Sequence, residues 1–346
     1  MSLKFGIDLG HLTGERLPER FADRIIEIED LGFDSIWFAE AYGSDVFTPL
    51  AWSAALTSTI RLGTAVAQIP ARTPAATAMA ANTLDHLSGG RVVLGIGASG
   101  PQVAEGWYGV AYPRPLARTR EYVAVVREVL DRRQPVDYDG EFYQLPLRGE
   151  GTTGLGKPLK SMLYPLRQRL PIQLGAEGPR NIALSAEVAD GWHAMFFAPA
   201  HDASYREALE AGFARREGGR PDDFEVVATV PVVVDDDVDR AADKVRPYLA
   251  LYIGGMGARG ANFHFDVFVR LGFGDIAERI QELYLAGDKA AAAAAIPVAM
   301  VEQVALIGPA AKIRDDLSRW ETSVVDTIAV QGLPKDLCRL AEAVLA

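Results

Sequence analysis

Arg91-Val92-Val93-Leu94-Gly95-Ile96-Gly97-Ala98-Ser99-Gly100-Pro101 is the stretch on which the reading of this chain turns. Gly95, Gly97 and Gly100 satisfy G-x-G-x-x-G, which in a dinucleotide-binding fold opens a helix whose amides receive a pyrophosphate. Pro101 follows at once, and proline drives the residue before it away from helical angles. That disfavours a conventional NAD-dependent dehydrogenase. Read instead as a barrel strand opening into a loop, the same residues let a flat ligand approach bare backbone.

Outward from this stretch, short apolar runs at 4–9, 35–38, 61–67, 91–95, 171–174, 191–196, 225–234 and 326–330 alternate with helical patterns. Pro18 opens an amphipathic run over 20–31 that Gly32 stops, and Pro74 opens 75–87, stopped by Gly89-Gly90. Pro115 and Pro179 open helices over 116–130 and 180–189. Such alternation means a parallel sheet with helical crossovers. Eight strands over this length favour a (β/α)8 TIM barrel, with an open doubly wound sheet as the alternative. Two segments break the rhythm: 138–170, hairpin-like and then glycine-rich, and 254–305, helix-rich with alanines from Ala290 to Ala295. Both are expected as insertions at the C-terminal face of a single domain spanning 1–346.

Composition narrows the function. No stretch has the apolar length of a membrane span, and the start has no signal-peptide pattern. A net charge of −11 with scattered Lys and Arg argues against nucleic acid as a partner. The single cysteine, Cys338, cannot form an internal disulfide, so a reducing cytoplasm is the expected compartment. The five histidines (His11, His86, His193, His201 and His264) show no metal-ligand spacing, and no metal is expected. Gly151 to Lys157 fits G-x-x-x-x-G-K, but Pro158 stands where a P-loop needs its hydroxyl, so nucleotide triphosphate hydrolysis is rejected. No G-x-S-x-G supports a serine hydrolase.

Gly175-Ala176-Glu177-Gly178-Pro179-Arg180-Asn181 is the strongest local signal. A strand ends at Leu174, and Pro179 sits where a helix begins, so free amides and the helix dipole there make an anion site. Glu177 suits a phosphate only if its side chain points away. Strand three, Arg61-Leu62-Gly63-Thr64-Ala65-Val66-Ala67-Gln68, has small residues where bulk is usual. Close packing against a neighbour explains that, and so does a backbone bulge pressing on a planar ring.

Gly63-Thr64-Ala65-Val66, the run from Thr83 to Arg91, Leu94-Gly95-Ile96-Gly97 and the run from Leu174 to Pro179 together resemble the bacterial-luciferase-like superfamily. The likeness is to its coenzyme F420-dependent branch, near the methylenetetrahydromethanopterin reductases and F420-dependent glucose-6-phosphate dehydrogenases. It implies a barrel with the cofactor at the carboxyl ends of the strands and a non-proline cis peptide at Ala65–Val66 behind the deazaflavin. By the same likeness, Gln68, Ala98 and Ser99 contact the ring, and Gly175, Ala176, Glu177, Gly178 and Pro179 hold its phosphate. Asp8 and Glu40 match acidic positions near the ring and are the expected catalytic acids, with His11 and His193 as reserves. Departures are informative. Glu40-Ala41 replaces an Asp-His pair of the sugar-phosphate dehydrogenases, and Ala98-Ser99-Gly100-Pro101 replaces their glutamate after strand four.

The expected activity is hydride transfer between deazaflavin C5 and a small-molecule substrate, with Trp107, Tyr108, Tyr112 and Trp192 as a candidate apolar wall. FMN is the alternative cofactor, in a monooxygenase of the same superfamily. A noncatalytic deazaflavin-binding protein is the other alternative. A homodimer is expected from relatives.

Overall fold

The computed structural model describes residues 3–345. Eight strands form the barrel: β1 Lys4–Asp8, β2 Ser35–Phe38, β3 Arg61–Thr64 resuming at Ala67–Gln68, β4 Val92–Gly97, β5 Ile172–Gly175, β6 Gly191–Met195, β7 Glu225–Val230 and β8 Thr327–Gln331. Each pairs in parallel with its neighbours in chain order, and β8 returns to β1 with Asp8 opposite Gln331. The sheet therefore closes into a (β/α)8 TIM barrel.

Side chains alternate along every strand, which sorts the sequence into two shells. Ile36, Phe38, Leu62, Val92, Leu94, Ile96, Ile172 and Leu174 face outward, joining Ile25, Ile28, Leu84 and Val126 of the surrounding helices in the main core. Trp37, Val93, Val227 and Ala329 fill the barrel interior, with Ala65 against them. Gly63 makes room for the tryptophan, since a Cβ there would lie 2.0 Å from Trp37 Cε3. In β4 the inward positions are thus Val93, Gly95 and Gly97. The glycines belong to the barrel wall.

Below the tryptophan layer lies a polar base. Arg61 donates to Asp34 at 2.6 Å and to Glu225 at 2.8 Å. Gln173 Nε2 and the Thr327 hydroxyl also donate to Glu225, at 2.9 and 2.8 Å.

The helices begin and end largely where the punctuation placed them. The helix Pro74–Ser88 has Thr73 accepting from the Ala76 amide and the left-handed Gly89 (φ 70°) as its stop. The helices Phe21–Asp30, Pro115–Asp131 and Pro179–Val188 match their expected ranges to within a residue or two. One strand needs correction. The run 225–234 breaks at Pro231, which cannot donate to a ladder. Val232–Val234 leaves the barrel to pair with Leu306–Gly308.

That small sheet is the foot of the second insertion, whose helices begin at Val238 and not at the expected 254. Helices Val238–Gly254, Phe263–Arg270, Gly274–Leu285, Lys289–Ala294 and Val298–Val304 rise from it and share their own core, including Phe196, Leu249, Ile253, Phe268, Ile280 and Met300. The first insertion is an antiparallel pair, Tyr138–Asp139 with Gln144–Leu145, followed by an extended loop. Among the described residues, no helix is long and apolar enough to cross a membrane.

Candidate active site

Inward residues at the carboxyl ends of the strands meet at one mouth. Its floor comes from β3, which breaks at a cis peptide between Ala65 and Val66, as the resemblance implied. The Val66 side chain lies over glycines of two other strands. A Cβ on Gly97 would fall 2.4 Å from Val66 Cγ2, and one on Gly175 would fall 3.1 Å from Val66 Cγ1. Gly95 is tighter still, because a Cβ there would meet the Thr64 carbonyl oxygen at 2.0 Å. Only bare backbone on β4 and β5 leaves room for the bulge.

Glu40, just past β2, anchors that bulge. Its buried carboxylate accepts from Arg72 Nη1 at 2.6 and 2.8 Å and from the Gln68 amide at 2.9 Å. Gln68 Nε2 donates in turn to the Glu40 carbonyl at 2.9 Å, while Gln68 Oε1 is buried without a partner. The residue expected as a proton donor is thus held in an ion pair.

Asp8 differs. It is buried with no cation on it: Oδ1 accepts from the Gly10 amide at 2.9 Å and Oδ2 from the Thr229 hydroxyl at 3.0 Å. Burial raises its carboxyl to about 6, against the pull of both donors. His193 on β6 places Nε2 2.9 Å from Thr229 Oγ1. Burial pushes this imidazole down to about 4, with Glu225 acting weakly the other way, so the ring is neutral at pH 7. His11, the other reserve, is exposed on the loop after β1.

The second insertion roofs this side. Tyr248 and Tyr252, one turn apart on Val238–Gly254, have ring centroids 4.7 Å apart with their planes tilted by 55°. Burial holds Tyr248 well above the usual phenol range, with Tyr252, Asp8 and Glu177 adding to it, and pushes Tyr252 up to about 12. Neither tyrosine was foreseen, although their i, i+4 spacing on an amphipathic helix is visible in the sequence. Thr229 was missed too, yet it shares the inward alternation of Val227 along β7.

The loop after β5 settles the Glu177 question. His264 Nδ1 lies 2.7 and 2.9 Å from the two Glu177 carboxylate oxygens, drawing the side chain into the insertion. Arg270 donates to the Glu177 carbonyl at 3.0 Å, and Trp192 Nε1 donates to the Ala176 carbonyl at 2.8 Å. Gly178 caps Pro179–Val188, its carbonyl accepting from the Asn181 and Ile182 amides at 2.9 Å; Pro179 has no N–H, so the Arg180 amide is the first-turn donor left open. A cavity of about 40 Å³ beside this loop is lined in part by Glu177, His201, Ser204 and Arg270.

Of the expected apolar wall, Trp192 is buried against Phe197 and Tyr205 and belongs to the core. Tyr112 donates to the Ser99 carbonyl at 2.6 Å, holding the 98–99 loop, where Ser99 is left-handed (φ 61°). Trp107 is 63% exposed and lies against Tyr42, 57% exposed, at the rim. Among the described residues, no His, Cys, Asp and Glu group has the geometry of a metal site.

A family model described as luciferase-like monooxygenase matches residues 1–327. A Mycobacterium tuberculosis protein with the provisional name coenzyme F420-dependent oxidoreductase is 49% identical over 329 residues, covering 95% of this chain and 94% of its own. A 5,10-methylenetetrahydromethanopterin reductase of Archaeoglobus fulgidus is 35% identical over 228 residues, 66% of this chain and 64% of its own. In structure, the coenzyme F420-dependent tetrahydromethanopterin reductase of Methanopyrus kandleri aligns with a TM-score of 0.80 at 24% identity, over 100% of this chain and 97% of that one. The last likeness is one of fold.

Proposed function

The chain belongs to the luciferase-like monooxygenase family, and we propose that within it the protein is a coenzyme F420-dependent oxidoreductase acting on a small organic substrate. The observation that carries this reading is Val66 lying on a glycine floor beside the unpartnered Gln68 Oε1. A flat heterocycle with a ring N–H fits that pair: Val66 backs one face, and Gln68 accepts the hydrogen bond it otherwise lacks. Names of relatives support the deazaflavin over FMN.

When bound, the deazaflavin supplies a hydride at C5 or accepts one there. The protein's part is to hold, orient and exchange a proton. Ala98 and Ser99 line the ring edge, and the Gly178 turn with Arg270 receives the phosphodiester. Asp8, whose carboxyl titrates near neutrality, gives or takes the proton that accompanies the hydride. Glu40 acts as a positioning residue, since Arg72 and the Gln68 amide occupy its oxygens.

Titration of the purified protein with F420 and, separately, FMN tests the proposal through tryptophan fluorescence. Saturable quenching by F420, at concentrations where FMN gives none, is the expected result. FMN binding without F420 binding overturns it in favour of a monooxygenase.

We also propose a homodimer. The first insertion exposes Leu147, Leu155, Leu159, Met162 and Tyr164 beside the exposed Met79 and Leu87 of Pro74–Ser88. The two surfaces are joined by Asn82 and His86, which contact the Tyr164 carbonyl. A concentration of exposed large apolar side chains on one insertion and the helix it contacts supports an interface there.

A further inference from the structure

Asp8 is held by a chain of groups whose hydrogen-bond direction is fixed by elementary bookkeeping. An ionised carboxylate only accepts. Thr229 therefore donates its one hydroxyl proton to Asp8 Oδ2, and its oxygen accepts from His193 Nε2, which must carry the ring proton. His193 Nδ1 is then a bare lone pair, and it is buried without a partner. Among the described residues, nothing else sets the tautomer.

We propose that Thr229 and His193 are positioning residues that fix the orientation and proton affinity of Asp8 for the reaction proposed above, through a one-way chain from His193 Nε2–H through Thr229 Oγ1–H to Asp8 Oδ2. With Oδ1 on the Gly10 amide and Oδ2 on Thr229, both oxygens are drawn toward the barrel wall, and the remaining lone pairs are left for the exchanging proton. The chain conducts no proton itself. Passing one from His193 would leave an imidazolate, since Nδ1 has no donor beside it. Its effect is to favour the ionised carboxylate against desolvation, which burial alone would push further toward the neutral acid.

The other groups around Asp8 do not compete for this role. Trp37 of β2 stands beside it in register and donates its indole N–H to Ser35. Gln331 of β8 stands opposite it in register. Tyr248 and Tyr252 are held as neutral phenols, Glu177 is engaged by His264, and Glu40, past the neighbouring β2, by Arg72 and the Gln68 amide.

Because the inference rests on the oxidoreductase reading only for its purpose, its test is made on the protein without cofactor. Nitrogen-15 NMR of histidine-labelled protein at pH 8 is expected to show His193 protonated on Nε2 alone. Carbon-13 NMR of the Asp8 carboxyl should show its midpoint rising by about one pH unit in Thr229→Val and returning in Thr229→Ser, as loss of a hydrogen bond to a charged group requires. With F420 and a turnover assay, the pH–rate profile should move by the same amount. A His193 Nδ1–H tautomer in the wild-type protein overturns the proposal whether or not any variant folds. So does a Thr229→Val midpoint equal to that of the wild type. Correct tautomer and midpoint shift in a protein that ignores F420 would leave this inference standing and remove only the functional reading.

Discussion

The barrel carries a polar layer at each end, and the two are built on opposite principles. At the base, Arg61 lies between Asp34 and Glu225, with Gln173 and Thr327 completing the carboxylate's shell. Burial acts to raise Glu225, but Arg61 outweighs it and the carboxyl ends below its ordinary range. At the mouth, Asp8 is more deeply buried, with no arginine or lysine among its hydrogen-bond partners, and its carboxyl ends above that range. One layer compensates its charges and plugs the barrel. The other keeps an acid uncompensated, where a ligand can use it.

Removing the compensating cation breaks the contrast most severely. Arg61→Met leaves the half-buried Glu225 and Asp34 without their cation, though Gln173 and Thr327 still donate to Glu225, and should cost about 1–3 kcal/mol of stability, read by urea unfolding. A loss below about 1 kcal/mol would show that water reaches the base.

Asp8→Asn should do the reverse. Turnover is expected to fall by about 100-fold or more, as for loss of a general acid, while stability rises. The sign follows from proton counting. The folded carboxyl holds its proton up to about pH 6 and the unfolded one only to about 3.8, so wild-type stability declines as pH rises through that window. The neutral amide escapes the decline and should gain up to about 3 kcal/mol at pH 8. His193 tilts the curve the other way: its folded value of about 4 against 6.5 means stability is lost as pH falls through that range. The two slopes offset in the wild type. Melting curves of Asp8→Asn between pH 7 and 4.5, set against those of the Asp8→Asn, His193→Gln double variant, should isolate the His193 slope, and identical profiles would contradict a buried neutral imidazole.

The floor of the mouth offers a smaller test. Gly97→Ala presses on Val66 and should cost about 1–3 kcal/mol, most of it recovered in the Gly97→Ala, Val66→Ala double variant. F420 affinity should stay impaired in both, because the double variant restores space and not the backing side chain. Strict additivity of the two stability changes would mean the residues do not touch. The least expected effect on fold stability belongs to Leu155→Asp with Met162→Asp on the exposed loop. Light scattering should show a monomer where the wild type is a dimer, and a wild-type monomer removes that proposal outright.

Much of this was legible beforehand for identifiable reasons. Strand alternation, proline starts and glycine stops are local, and they marked the eight barrel strands and the helices between them. The Pro231 break was missed because an apolar run of valines looks continuous on either side of a residue that cannot pair. Asp8 and Glu40 looked alike in sequence, both acidic at strand ends. What separates them is Arg72, a non-local partner for one and absent for the other. Trp192 looked like wall and is core because it sits at an outward position of β6. The tyrosines of the roof come from an insertion whose docking no pattern within it discloses.

Glu177 and His264 are 87 positions apart and act as one unit. Anyone grafting the Gly175–Pro179 turn onto another scaffold, or exchanging the helical excursion for that of a cousin, would strand an anionic side chain next to the place proposed for a negatively charged tail. The two must travel together, or the glutamate must be neutralised, for a transplanted cradle to hold its guest.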